Sequence, residues 1–166
     1  MENMIIGNGD IASVITDKDE FLFFAAGVSN SREKRESEYK REKDLLMNQN
    51  RLAHIVYFSS LCVFYSNSRY AKHKREMEYL VKKAFATWTI IRFGNITWGT
   101  NPHTLINHFK KLKKHGKKLI VKNTYRYICD KKEFNHWLAM IPKEWSCEMN
   151  VPGRRMKVAD IVKEFM

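Results

Sequence analysis

Ile55–Leu80 reads IVYFSSLCVFYSNSRYAKHKREMEYL, and its order decides the fold. An apolar run that begins at Ala53 ends in Ser59-Ser60, as a buried parallel strand would. A polar turn follows. Beyond it Tyr70, Lys74, Met77, Val81 and Ala84 recur at helical spacing, which predicts a helix with a tyrosine and a lysine on its inward stripe. A strand thus delivers a hydroxyl to the foot of a helix that carries a phenol and an ammonium group one turn apart. The plainer reading is a core-edge tyrosine and a snorkelling lysine.

Upstream, the short apolar run Met4–Ile6 leads into Gly7-Asn8-Gly9-Asp10-Ile11-Ala12. This fits G-x-G-x-x-A at the point where a strand hands over to a helix. Glycines there let backbone N–H groups approach a pyrophosphate, although a tight glycine turn needs no ligand. A dinucleotide fold continues with a full helix, a second strand and an acidic residue ~20 positions on that holds a ribose. Here only Ser13–Glu20 precedes the next apolar run, which leaves room for a turn or two of helix, and Asp17, Asp19 and Glu20 lie too near the turn to serve as that clamp. Phe21–Gly27 reads as a second buried strand, and its small end, Ala25-Ala26-Gly27, would let a ligand lie against the backbone. Asn30 and Glu33 have capping-box spacing ahead of a charged helix, Arg32–Asn48, whose apolar face is no more than Tyr39, Leu45, Leu46 and Met47.

Downstream, Thr87–Phe93 reads as a fourth strand running into Gly94-Asn95, and Gly99–Pro102 as a loop before a helix with Leu105, Ile106, Phe109 and Leu112 inward. That helix turns Lys110, Lys111, Lys113 and Lys114 outward. With Lys117 and Lys118 beyond the stop at Gly116, they make the densest basic cluster in the chain: a solvated face, or a nucleic-acid contact. Leu119–Val121 and Tyr125–Cys129 are short strand candidates, with helices at Glu133–Ile141 and Val158–Phe165.

At 166 residues, 44% apolar and 29% charged, the chain is expected to form a single domain over 1–166 with a core of its own. No apolar run approaches the ~20 residues of a membrane span. The first ten residues read as the start of a strand rather than a signal peptide. Three widely spaced cysteines argue against a disulfide framework or a zinc knuckle and fit a reducing cytoplasm. No metal site is expected. A net charge of +12 favours anionic partners: nucleotide cofactors, nucleotide-sugars or nucleic acid.

Strands and helices alternating after a glycine turn make a Rossmann-like α/β pattern. In order, IIGNGDIA, FFAAGVSNS, VYFSSLCVF, YAKHKREME, IIRFGNITWG, TYRYICD and EMNVPG resemble the extended short-chain dehydrogenases, the sugar-nucleotide epimerase/dehydratase group. The chain is more closely similar to small atypical members associated with surface-polysaccharide synthesis. Tyr-x-x-x-Lys alone is weak, since it also occurs at Tyr39/Lys43, Tyr79/Lys83 and Tyr127/Lys131; only Tyr70/Lys74 follows a buried strand ending in serine.

The resemblance implies NAD or NADP as cofactor and a nucleotide-sugar as substrate. It implies that Gly7, Asn8, Gly9, Asp10, Ile11, Ala12, Ala25, Ala26 and Gly27 hold the cofactor. Ser60, Tyr70 and Lys74 would be catalytic: Lys74 would favour the phenolate of a group whose ordinary pKa is ~10 and hold the nicotinamide ribose, and Ser60 would hydrogen-bond the substrate oxygen. Aligning Val63-Phe64 with the family's Val-Tyr selects Ser60 over Ser59. Asn95 and Arg126 would contact the nucleotide-sugar, or be a turn residue and a salt-bridged arginine. A homodimer through the helices at Arg32–Asn48 and Tyr70–Lys83 is compatible with the family. The expected architecture is a minimal Rossmann-like domain, a mainly parallel sheet of about four or five strands flanked by helices. The second and third strands of the usual dinucleotide half are missing, so the first strand lies near an edge. The competing functions are a non-catalytic binding or assembly protein that keeps the fold and has lost cofactor affinity, and a small basic nucleic-acid binder that uses Lys110–Lys118.

Overall fold

The computed structural model describes residues 4–16 and 20–166; Asp17 and Asp19 lie outside them. Five parallel strands form the main sheet: β1 (Ile5–Ile6), β2 (Leu22–Phe24), β3 (His54–Ser60), β4 (Thr87–Phe93) and β7 (Cys147–Val151), in the order β1-β2-β3-β4-β7. β1 is an edge strand in this order, as expected for a sheet without the missing pair. A second sheet of three strands runs β5 (Asn95–Ile96), β6 (Tyr125–Cys129), β8 (Arg154–Lys157), with β5 parallel and β8 antiparallel to β6.

The central strands are apolar on both faces because both faces are covered. Successive residues alternate between the two cores. Phe24, Ile55, Tyr57 and Ile90 pack with Leu46 of α1 (Glu36–Met47) and with Met77 and Val81 of α2 (Arg69–Ala84). Phe23, Val56, Phe58 and Ile91 face the other way, against Phe134 and Leu138 of α4 (Lys131–Ala139). Each such side chain contributes about 1.5–3 kcal/mol on full burial. α3 (Leu105–Lys114) and α5 (Val158–Phe165) pack over the second sheet, where Ile106, Ile128 and Ile161 form a third small core.

Several local expectations need correction. α1 opens at Glu36, not Arg32: Asn30 Oδ1 accepts from the Arg32 N–H, and the Glu33 carboxylate accepts from those of Lys34 and Arg35, so a polar turn absorbs these donors first. Leu119–Val121 is not a strand. Gly116, at φ +63°, ends α3 with the Lys117 N–H on the Leu112 carbonyl, and the chain leaves with Ile120 77% exposed. Asp130 caps α4 through the Glu133 N–H, which starts that helix at Lys131 rather than Glu133. β7 and β8 were not expected as strands, because their polar alternation carries no apolar run.

Candidate functional site

Parallel strands deliver their carboxyl ends to one side of a sheet, where open α/β sheets bind ligands. Pairing Ile6 with Phe24, Phe24 with Tyr57 and Ser60 with Phe93 lines up the Gly7 turn, Ala25–Gly27, Ser60 and Gly94-Asn95 along that edge. Gly7 is required by conformation and by space: φ is +117°, and a Cβ there would lie 2.5 Å from the Ala25 carbonyl oxygen.

Gly7, Asn8 and Gly9 are exposed, but the rest of the motif is spent on the fold. The Asp10 carboxylate accepts from the Thr100 and Asn101 N–H groups, both at 2.9 Å. Its carbonyl accepts from the Trp98 indole at 3.0 Å. Gly99 admits this contact, since a Cβ there would sit 2.1 Å from Asp10 Cγ. Ile11 packs on the core. Ala12 opens a single 3-10 turn, Ala12–Val14, where a dinucleotide fold places a full helix.

The two serines have different surroundings. Ser59 is buried and donates to Glu78 Oε1 at 2.6 Å, and Glu78 is gripped by both arms of the Arg92 guanidinium at 2.8 and 2.6 Å. Arg92 also reaches Glu148 on β7 at 2.6 Å. Ser60 is half-buried, and its Oγ accepts from the Cys62 N–H at 3.2 Å. Tyr70 lies in the first turn of α2 and is half-buried. Burial, and then the negative potential of Cys62 and Glu42, push its phenol well above the ordinary range.

Lys74 is 3% exposed. Its ammonium group donates to Glu42 Oε1 at 3.3 Å and to the Tyr57 hydroxyl at 3.1 Å, and stands 5.6 Å from the Tyr70 ring centre. Glu42, fully buried on α1, also accepts from the Tyr57 hydroxyl at 2.7 Å, the Val28 N–H at 2.8 Å and His73 Nε2 at 2.8 Å. A carboxylate only accepts, so His73 presents its Nε2–H and leaves a buried Nδ1 with no hydrogen-bond partner among the described residues. Burial alone would raise the Glu42 carboxyl. Lys74, His73 and the Val28 amide outweigh it and hold that carboxyl below its usual range. Gly27 closes the cluster: a Cβ there would lie 2.8 Å from Lys74 Nζ and 3.0 Å from Glu42 Oε1. The ammonium charge expected to lower the Tyr70 phenol is therefore neutralised by Glu42, and the phenol moves the other way.

Asn95 donates to the Tyr127 carbonyl at 3.2 Å and fastens β5 to β6. Arg126 folds back on its own strand, donating to the Tyr125 carbonyl at 2.8 Å and Thr124 Oγ1 at 3.2 Å. Glu42, His73, Tyr57 and the Ser59–Glu78–Arg92 network were not among the expected residues. A signal for Glu42 existed: it lies three after Tyr39 and four before Leu46, a carboxylate on the buried stripe.

Comparisons with known proteins agree on the fold. No protein-family model matches the chain, and no curated protein matches it in sequence. Among solved structures it is similar to MoeE5 in complex with UDP-glucuronic acid and NAD, at 18% identity and a TM-score of 0.70, covering 87% of this chain and 60% of that one. It is similar to Bordetella bronchiseptica WbmH in complex with NAD+ (14%, TM-score 0.69, 87% and 56%) and to the Thermus thermophilus UDP-glucose 4-epimerase complex with NAD (13%, TM-score 0.66, 87% and 60%). At these identities the likeness establishes the fold alone, the Rossmann-like parallel sheet that these proteins share with the chain. The chain spans less than two thirds of the length of each.

For a dinucleotide, the fit divides along the sheet edge. The exposed Gly7–Gly9 backbone and the small Ala25–Gly27 strand end suit a close approach by a phosphate or ribose. Beyond β1, no described strand supplies an adenosine pocket.

Proposed function

We propose that this chain is a NAD(P)-binding domain of the sugar-nucleotide epimerase/dehydratase type, one shortened Rossmann-like unit over 1–166 that carries out oxidoreduction or epimerisation of a nucleotide-sugar in surface-polysaccharide synthesis. The observation that supports this reading is a parallel sheet whose β1 ends in an exposed glycine turn and whose β3 ends in Ser60, with Tyr70 in the first turn of the next helix, in a fold shared with proteins solved with NAD. Of the glycine turn and the segment after β2, the exposed Gly7–Gly9 backbone and Ala25–Gly27 would hold the cofactor, and Asn95 and Arg126 the sugar nucleotide. The cofactor supplies hydride transfer when bound. Ser60 orients the substrate oxygen through its Oγ. Tyr70 would give its proton to the same oxygen when a carbonyl is reduced and take it back when the hydroxyl is oxidised. Lys74, tied to Glu42, positions α2 against α1.

A second reading, a binding or assembly protein without turnover, draws on the Glu42–Lys74 pair. An ammonium group neutralised inside the core does not promote a phenolate. Thermal denaturation with NAD(H), NADP(H) and UDP tests the first reading, since a ligand that binds the native state raises the midpoint. A rise with cofactor, together with hydride exchange onto a UDP-sugar that Tyr70→Phe abolishes, supports the enzyme. A rise without exchange supports the binder. No rise with any nucleotide rejects the enzyme and leaves an assembly protein that keeps the fold without cofactor affinity.

A further inference from the structure

We propose that the segment leaving α3, Lys117–Lys122, together with the lysine face of that helix, docks on an anionic lipid surface. The inference is independent of what the sheet edge binds. Between Glu78 and Asp130 the chain has no carboxylate, and Lys110, Lys111, Lys114, Lys117, Lys118 and Lys122 are all exposed. The Gly116 turn sends the chain out in an irregular, unpaired stretch, in which Ile120 is 77% and Val121 42% exposed. Five of its six side chains are exposed, two of them apolar and three of them ammonium groups. The neighbouring edge adds to the charge. β8 lies antiparallel to β6 and brings Arg155 and Lys157 beside Tyr125. α5 packs against α3, and of its two acids Glu164 is already bridged to Arg154 while Asp160 is exposed.

Charge alone would fit nucleic acid equally, and the apolar residues decide between the two. Exposed aliphatic side chains amid lysines match the boundary between anionic headgroups and acyl chains, where each basic residue near the surface adds attraction and an apolar side chain can leave water. A phosphodiester backbone offers Ile120 and Val121 nothing comparable. The aromatic nearby is also taken, because the Arg155 guanidinium lies 3.7 Å from the centre of the Tyr125 ring, covering a face on which a base would stack. Among the described residues no helix is long and apolar enough to cross a membrane, so the contact would be peripheral.

The test is co-sedimentation of the full chain with vesicles of phosphatidylcholine, with and without phosphatidylserine, at low and high salt. Binding should favour the phosphatidylserine vesicles by about tenfold or more and weaken with salt. Both I120S/V121S and K117Q/K118Q/K122Q should lower it by about tenfold, with unfolding midpoints unchanged because these side chains are exposed. Equal partition onto both vesicles, or onto neither, overturns the proposal. So does undiminished binding by I120S/V121S. If that variant also binds duplex DNA as tightly as the parent does, the face is a nucleic-acid surface instead.

Discussion

Glu42 and Lys74 form an ion pair at 3.3 Å in which the carboxylate is fully buried and the ammonium side chain 4% exposed. The pair joins α1 to α2 underneath Gly27. It turns the lysine of the Tyr-x-x-x-Lys pattern into part of the core. A buried pair stabilises little relative to apolar packing, but removing one partner strands the other charge.

Glu42→Ala should therefore destabilise the fold by about 3–5 kcal/mol, and Lys74→Met by a similar amount. The double variant should lose clearly less than the sum of the two, because neither charge is then left alone. Urea unfolding of the four proteins measures this, and strict additivity would show that the two groups do not depend on each other.

Acid should expose the same linkage. The folded-state pKa of Glu42 lies below its ordinary 4.5, so its contribution is fully present above that value and is lost as pH falls towards the folded pKa. Glu148, held down by Lys82 and Arg92 against the effect of its burial, acts in the same sense. The thermal midpoint should drop steeply below about pH 4.5, and Glu42→Gln, already destabilised at neutral pH, should show a shallower fall.

Tyr70 should keep its proton well past the range of an ordinary tyrosine, because burial disfavours its phenolate and Cys62 and Glu42 add to that. Alkaline titration followed by phenolate absorbance should then match between the parent and Tyr70→Phe up to about pH 10. A difference of one phenolate in that range would mean that Lys74 does reach Tyr70 electrostatically. If the proposed chemistry holds, turnover should show no rising limb near neutrality from this residue, and Tyr70→Phe should lower it by about 100-fold or more with folding intact.

The adjacent serines should separate stability from chemistry. Ser59→Ala removes the 2.6 Å donor to Glu78 inside a buried charged network and should cost about 1–3 kcal/mol. Ser60→Ala gives up only an acceptor for the Cys62 N–H and should cost under about 1 kcal/mol while lowering any nucleotide-sugar turnover. Equal losses of stability would assign both serines to the core.

The sequence by itself determined the layered α/β architecture. Ile55–Phe58 and Ile90–Ile91 are apolar runs buried on both sides, which demands helices on both faces of a parallel sheet, and the short interval after Ala12 leaves no room for two more strands before β2. It also determined that Ser60, Tyr70 and the glycine turn share one edge, since a parallel strand and the helix after it can put them nowhere else. Only the tertiary structure decided what the charged residues do. Glu42 and Lys74 are 32 residues apart in sequence, and nothing in the spacing of either helix says that the two faces meet. Asp10 is bound by the loop at Thr100 and Asn101, so part of an apparent phosphate motif serves as a clasp. β7 and β8 carry no apolar run, since β7 alternates its exposure and β8 exposes all but Met156, and their pairing comes from backbone partners that arrive from elsewhere in the chain. Local patterns specify which faces are buried. Which charge meets which depends on how distant segments are brought together, and that depends on the whole fold.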